Sequence, residues 1–393
     1  MRKHLKLRLQ PFIKGAFALL VLLAFSKCSY DPEISKKPIS LSFSTDTIQF
    51  DTLFAGKQSI TKRLKVYNPS AEAVLLNDIR LMNATNNFEL IVNGVSGNNF
   101  KDKLLLAEDS LLILIEANIN QSDLNNPFVI REVLSFSNQG TDQSIVIEAW
   151  GQNAHYLHDS IIGCDAIWTA DRPYVLSNSI LVEEGCTLTI EAGTKIYSGE
   201  DSFILINGSL KVNGSADSLV LFTNDRLDEP FASAPGQWGG IIILEGSTDN
   251  VVQYADIKNS IVGFNVTSYA ADGQVDLSLS NCKVGNTTNS AILALNSDVN
   301  AINSLFYNTA SGTATHIGGG TANYTHCTIA NYFQSPKEAP ALYVSDYAVD
   351  NDDNEIIAPM IVNLLNTIVY GRLTEELIIF ENTADNVNFS FSN

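Results

Sequence analysis

The chain has 393 residues, 45% hydrophobic and 17% charged, so it is long enough for two or three domains and too apolar to stay disordered. Acidic residues outnumber basic ones by 43 to 24, for a formal charge of −19. Such a surface repels nucleic-acid phosphates and, without a local basic patch or a bridging metal ion, polyanionic glycans.

Residues 2–14 are basic with no acid, and Gly15–Phe25 is an eleven-residue apolar run. That run suits a signal-peptide core and falls short of the roughly 20 residues of a membrane-spanning helix. Ser26-Lys27-Cys28 follows. The arrangement resembles a bacterial lipoprotein signal, in which the Cys28 sulfur takes a diacylglycerol and becomes residue one. Ser26 fits that pattern and Lys27 departs from it. The expectation is therefore a leader over 1–27 and an outer-membrane lipid as partner through Cys28, with ordinary secretion and a free Cys28 as the alternative. Removing the six basic residues ahead of Cys28 would leave 18 basic against 43 acidic residues, or −25. Residues 28–40 hold two prolines and no apolar period and read as a tether.

Residues 41–155 carry short strand-like segments, among them Thr47–Phe50, Ile60–Tyr67, Phe88–Val92, Ser110–Ala117 and Val129–Phe136. Turn signals such as Asn93-Gly94 and Asn126-Pro127 separate them. Segment number and spacing predict an immunoglobulin-like β-sandwich, a fold-level likeness that carries no chemistry. His155 and His158 close this stretch without Cys or acidic partners at ligand spacing, so packing is favoured over metal binding.

From residue 160 to 393 the pattern changes to rungs. Ile180–Ile190 and Ile204–Val212 match at offsets of 24 and 22 residues. Three short strands per turn, joined by Gly, Asn and Asp, make a coil in which each turn buries its face by stacking on the next. A six-residue unit marks the later turns: Tyr254–Asn259, Asn281–Asn286, Asn303–Asn308, His326–Asn331 and Asn366–Gly371. Its second position is small and its fourth apolar. Its sixth is Asn or Gly, which tolerate positive φ, so that position is expected to be a left-handed corner with stacked amides. The expected fold is thus all-β, an immunoglobulin-like sandwich followed by a right-handed parallel β-helix. The final copy, Val387–Asn393, stops one residue before the small position, which predicts a β-helix continuing beyond residue 393.

The signal cysteine, the sandwich, Cys164–Trp168, Glu184–Gly193 and Pro235–Gly240 together resemble the right-handed β-helix lipoproteins of Bacteroidota outer membranes. That resemblance implies outer-membrane placement, on the cell surface or the periplasmic side, and suggests contact with glycans or surface proteins. The family has no settled activity.

Cys164 and Cys186 lie 22 residues apart, one turn. In a shared slot their Cα atoms would be about 4.8 Å apart, inside the window for a disulfide. A bridge and two unpaired small residues both fit that spacing. Cys282 and Cys327 share a slot two turns apart and are expected to be buried free thiols.

β-Helices also host lyases and hydrolases. Hydrolases need two facing carboxylates, and lyases need a base and a charge neutraliser. Asp256, Lys258 and Lys283 are placed for such a role, but no pair of acids falls on adjacent turns, so no catalytic residue is assigned. The acidic run Asp350–Glu355 lacks the central Gly of a calcium loop, so no metal and no cofactor is expected. Two residues near the insertion 224–236 are binding candidates: Trp238 as a stacking surface and Arg226 as a hydroxyl partner, with a packed corner as the competing role for Trp238. The expected function is non-catalytic binding or surface structure, with carbohydrate as the ligand; a polysaccharide lyase or glycoside hydrolase in the same groove is the alternative.

Overall fold

The computed structural model describes residues 32–57, 59–83, 86–121, 125, 127–268, 273–333, 339–350 and 353–393. Within them the regular structure is β, apart from a 3₁₀ turn at Phe231–Ser233. Two compact units result. One takes the chain up to Gln49 with Ser59–Ala117 and Arg131–Glu148; the other takes Phe50–Gln58, Asn118–Ile130 and Ala149–Asn393.

The N-terminal strands form two five-stranded sheets. Antiparallel partners include Lys62–Tyr67 with Ser110–Ala117 and Val74–Leu81 with Asn99–Leu105. Burial alternates along them: Leu64, Val66, Ile113 and Ile115 are inaccessible while the residues between are exposed or half-exposed. That alternation follows from the two-residue period of a strand. Asn99–Leu105 reads as polar (NFKDKLL) and is a strand that apolar alternation does not reveal.

The larger unit is a parallel β-helix. Nine strands from Ala166–Trp168 to Val387–Ser392 stack into its first face. The second face runs from the start of Tyr174–Val182 through Lys195–Ser198, Val220–Asn224, Ala255–Lys258, Lys283–Thr287, Leu305–Thr309 and Thr328–Asn331 to Ile368–Gly371. The third runs from the end of Tyr174–Val182 through Phe203–Ile206, Gly240–Ile243, Phe264–Thr267, Ile292–Leu295 and Ala314–Ile317 to Leu342–Ser345 and Leu377–Phe380. Registers run unbroken from turn to turn, for example Asp256↔Lys283 and Lys283↔Leu305. Inward positions form one core, which includes Leu188, Val212, Val252, Leu279, Phe306 and Ile329. No turn can bury that surface alone, so the stack supplies the stability.

The six-residue unit is placed as its small and apolar positions require: Cys282, Val284, Cys327 and Ile329 point inward and are buried. A further corner, not expected from the sequence, lies at the first position. Tyr254, Asn281, Asn303, His326 and Asn366 all have φ between 48 and 57°. The sixth position is left-handed at Asn259, Asn286 and Asn308. At Asn331 and Gly371 it is not. Gly318, Gly319 and Gly320 form a second kind of corner, with φ of 73, 99 and 100°.

One polar pair interrupts the core. His316 and Tyr324 are both inaccessible, and the His316 Nε2 lies 2.8 Å from the Tyr324 hydroxyl. Burial holds the imidazole down at about 4 and pushes the phenol well above its usual range. The Nδ1 atom has no hydrogen-bond partner.

Candidate functional site

The corner between the first and second faces carries the candidate site. From Tyr254 onward each turn crosses it on a single left-handed residue, so the side chains of Tyr254, Asn281, Asn303 and His326 follow one another along the coil at the rung spacing of about 4.8 Å. Asn303 donates from Nδ2 to Oδ1 of Asn281 at 2.6 Å. In the turn before Tyr254 the same corner is a longer loop, Gly214–Leu219, closed by a bridge between Ser215 and Ser218. A Cβ on Gly214 would lie 2.2 Å from the Tyr254 carbonyl oxygen, so glycine allows that loop to rest on the next turn. Ala216 and Leu219 form one wall of a cavity of about 360 Å³. Tyr254, Asn281, Asn303 and His326 line it along the corner, and Lys283, Leu305 and Thr328 line it from the second face.

Lys283 connects this cavity to a strip on the outer side of the second face. Asp256 is opposite Lys283 in register, and its Oδ2 is 3.9 Å from the Lys258 ammonium. Burial raises the Asp256 carboxyl above the usual range, against the pull of Lys258 and Lys283. Its Oδ1 is enclosed without a hydrogen-bond partner. One turn on, the Tyr307 ring lies over Gly285, where a Cβ would come within 2.7 Å of the ring. Burial, and then the nearby Asp256 charge, push the Tyr307 hydroxyl up to about 12. Farther along, Tyr332 and Tyr370 are 49% and 59% exposed, with ring centroids 5.8 Å apart. The strip therefore combines a half-buried carboxyl, two ammonium groups and three phenols, the mixed polar and aromatic surface that recognises hydroxyl-rich ligands.

The insertion after the third turn is built differently from its expected role. Trp238 is inaccessible, and its Nε1 donates to the Lys258 carbonyl at 2.8 Å. It is a corner plug joining two turns and offers no face to a ligand, so of the two roles weighed for it the packed corner holds and the stacking surface does not. Arg226 is committed inside its own loop. Its Nη2 and Nε reach Asp228 at 3.0 and 3.3 Å, and its guanidinium lies 3.3 Å from the centroid of Phe231. A ladder of amides anchors this loop. Asn224, Asn259 and Asn286 donate to three consecutive carbonyls, Phe231, Ala232 and Ser233, at 3.1, 2.8 and 2.9 Å.

Cys164 and Cys186 are joined as a disulfide across the first turn, with Cα atoms 4.4 Å apart. Cys282 and Cys327 are free and buried, and burial raises the Cys282 thiol to about 11. Cys28 lies outside the described residues, as does part of the acidic run at 350–355. Among the described residues no group of His, Cys, Asp or Glu is arranged to hold a metal ion. His155 lies 3.2 Å from Asp171 and packs on Tyr174, while His158 reaches Ser177 at 3.0 Å. Among the described residues no helix is long and apolar enough to cross a membrane.

Residues 160–272 match a family described as a pectate-lyase-like β-helix domain. No curated protein matches the chain. Among solved structures, a family 123 glycoside hydrolase from Clostridium perfringens is similar at 7% identity over 30% of each chain, with a TM-score of 0.22. A PapD-like domain of human CEP192 is similar at 14% identity over 30% of this chain and 88% of that one, with a TM-score of 0.21. A Salmonella enterica SafA pilin in complex with its SafB chaperone is similar at 10% identity over 31% and 58%, with a TM-score of 0.21. At such scores the likenesses carry no structural argument, and this chain spans under a third of the hydrolase's length.

Proposed function

We propose that the β-helix binds carbohydrate without turning it over, in an exported protein held through Cys28 at the outer membrane of a Bacteroidota-type envelope. In this reading the N-terminal sheets are an immunoglobulin-like sandwich presenting a right-handed coil, the hand that parallel crossovers within one sheet overwhelmingly take. The exposed pair Tyr332–Tyr370, with Tyr370 in one register column with Tyr307 and Lys258, carries the binding role. The family match over 160–272 agrees with a carbohydrate ligand. Glycoside hydrolysis needs two carboxylates about 5–9.5 Å apart. Among the described residues, the second-face strands carry one, Asp256. A glycan array paired with reducing-end and unsaturated-product assays tests the reading: binding without product supports it, and turnover that Asp256→Asn abolishes overturns its non-catalytic part. Membrane fractionation of Cys28→Ala tests the anchor, and unchanged membrane association would remove it.

A second reading is favoured by one observation, the Asp256 carboxyl raised by burial beside Lys258, Lys283 and Tyr307. Perturbed carboxyls next to ammonium groups mark acid–base sites. In that reading the cluster performs β-elimination or hydrolysis on the same ligand, and the product assays above decide between the two.

A further inference from the structure

We infer that the outer side of the third face is a docking strip for a cationic amphipathic helix of a partner protein. The strip lies on a different face from the tyrosines of the carbohydrate reading. Three observations lead there.

The first is the absence of charge. The outward positions of the third face form one column whose register is unbroken through eight turns. Six of its members are apolar, Leu181, Leu205, Ile242, Leu293, Tyr343 and Ile378; the other two are Asn265 and Thr315. All eight are half-exposed. No third-face strand holds an Asp, Glu, Lys or Arg. The second-face strands, in contrast, carry Lys195, Asp256, Lys258 and Lys283, and the first-face strands carry Glu191 and Lys211. Contiguous apolar surface of this kind marks a place where another molecule sits.

The second is shape. A third-face strand such as Phe203–Ile206 or Ile292–Leu295 has 4 residues. At about 3.3 Å per residue that is a breadth of roughly 13 Å, close to the ~10–12 Å of one helix with its side chains. Eight turns about 4.8 Å apart span roughly 34 Å, the length of a helix of about 22 residues. A second sheet would overhang this strip on both sides and meet the corners. A helix laid along the coil keeps its apolar stripe on the column.

The third is sign. The corner between the third and first faces carries Glu183, Glu184, Glu245, Asp249, Asp276 and Asp298, and no Lys or Arg among the described residues. Lys211 of the first face reaches Asp249, which leaves this margin negative. The opposite edge is uncharged at its three middle turns, 259–263, 288–291 and 310–313. Its described arginines are held locally, Arg226 by Asp228 and Arg372 by the Phe333 carbonyl. Packed face to face, a second copy of the chain would bring only acids or an uncharged edge to the negative margin. A helix with leucines on one side and lysines along its flank meets strip and margin together.

Fluorescence anisotropy with three labelled peptides of about 22 residues, the length set by the strip, tests this. One is a helix with leucines on one side and lysines beside them, one a lysine–serine peptide of equal charge, and one a leucine–glutamate helix. The leucine–lysine helix should bind at least about tenfold tighter than the lysine–serine peptide, and the leucine–glutamate helix should not bind. Ile242→Thr with Leu293→Thr should remove that preference while Tm stays near wild type, since threonine suits an outward strand position. Glu183→Gln with Glu245→Gln should weaken the leucine–lysine helix and flatten its salt dependence. Tyr370→Ala, on the second face, should leave it unchanged. Equal binding of the two lysine peptides, including none by either, or a preference that survives the double threonine variant, would overturn the strip. So would a dimer seen in sedimentation that the threonine variant dissolves, because the occupant would then be a second copy.

Discussion

Asn286 donates from Nδ2 to Oδ1 of Asn259 at 2.7 Å, and Asn259 does the same to Asn224 at 2.8 Å. Asn224 also bonds two carbonyls of the insertion that follows it, and Asn259 and Asn286 one each, so a single column both ties three turns together and holds down the loop they carry. Asn259 is buried. Replacing it by Gly keeps the left-handed backbone unstrained and removes only the amide. Asn259→Gly should cost about 2–4 kcal/mol, because it strands several buried partners at once. Urea unfolding measures the loss, and hydrogen exchange should show the amides of 226–236 opening faster than those of neighbouring turns.

The pair His316–Tyr324 predicts acid sensitivity. The folded imidazole titrates near 4, below its ordinary 6.5, so the unfolded chain binds the extra proton first as pH drops. The associated stability is complete above 6.5 and is lost as pH falls through the folded value. Its full size is roughly 3 kcal/mol. Unfolding curves between pH 7.5 and 4 should show this slope, and the double replacement His316→Leu with Tyr324→Phe should remove it.

The Cys164–Cys186 bridge closes a 22-residue loop at the start of the coil. A loop of that length stabilises by about 3 kcal/mol in the chain-entropy account. Cys164→Ser with Cys186→Ser should lower Tm accordingly. Mass spectrometry of the unfolded, unreduced, alkylated protein should show label on Cys282 and Cys327 and none on Cys164 or Cys186.

Tyr332 and Tyr370 are exposed, so their replacement separates binding from folding. Tyr370→Ala should leave stability within about 0.5 kcal/mol, as surface changes do. It should weaken glycan binding by about tenfold, equivalent to losing one aromatic contact of some 1.4 kcal/mol. A glycan-binding titration beside thermal unfolding reads both.

The coil is legible in the chain because stacking imposes a chemical rule at fixed positions. Cys282 and Val284, or Cys327 and Ile329, must be small and apolar to fit between neighbours, and residue identity reports that directly. The corner residues obey a different constraint. Tyr254, Asn281 and His326 share a backbone dihedral and no chemical class, so the first position of the repeat looks unconstrained even though it lines the cavity. The signal was present in its place in the repeat, one residue ahead of the small position. Trp238 misleads for the complementary reason. Whether an aromatic ring plugs a corner or faces solvent depends on a carbonyl a turn away, at Lys258, and nothing adjacent in sequence encodes that contact. In the strip, Asp256, Lys258 and Lys283 are legible as charges on adjoining turns, whereas Tyr307, Tyr332 and Tyr370 join them only by register across turns.

The corner column also behaves as a ruler. From Tyr254 onward each turn contributes one side chain at an interval fixed by backbone hydrogen bonding, about 4.8 Å. A flexible chain can adjust to that interval, whereas a stiff polymer whose repeat is not commensurate with it will meet one corner squarely and drift off the next. Exchanging Tyr254, Asn281, Asn303 or His326 therefore rewrites which chemical group is met at each graduation while leaving the scale itself untouched.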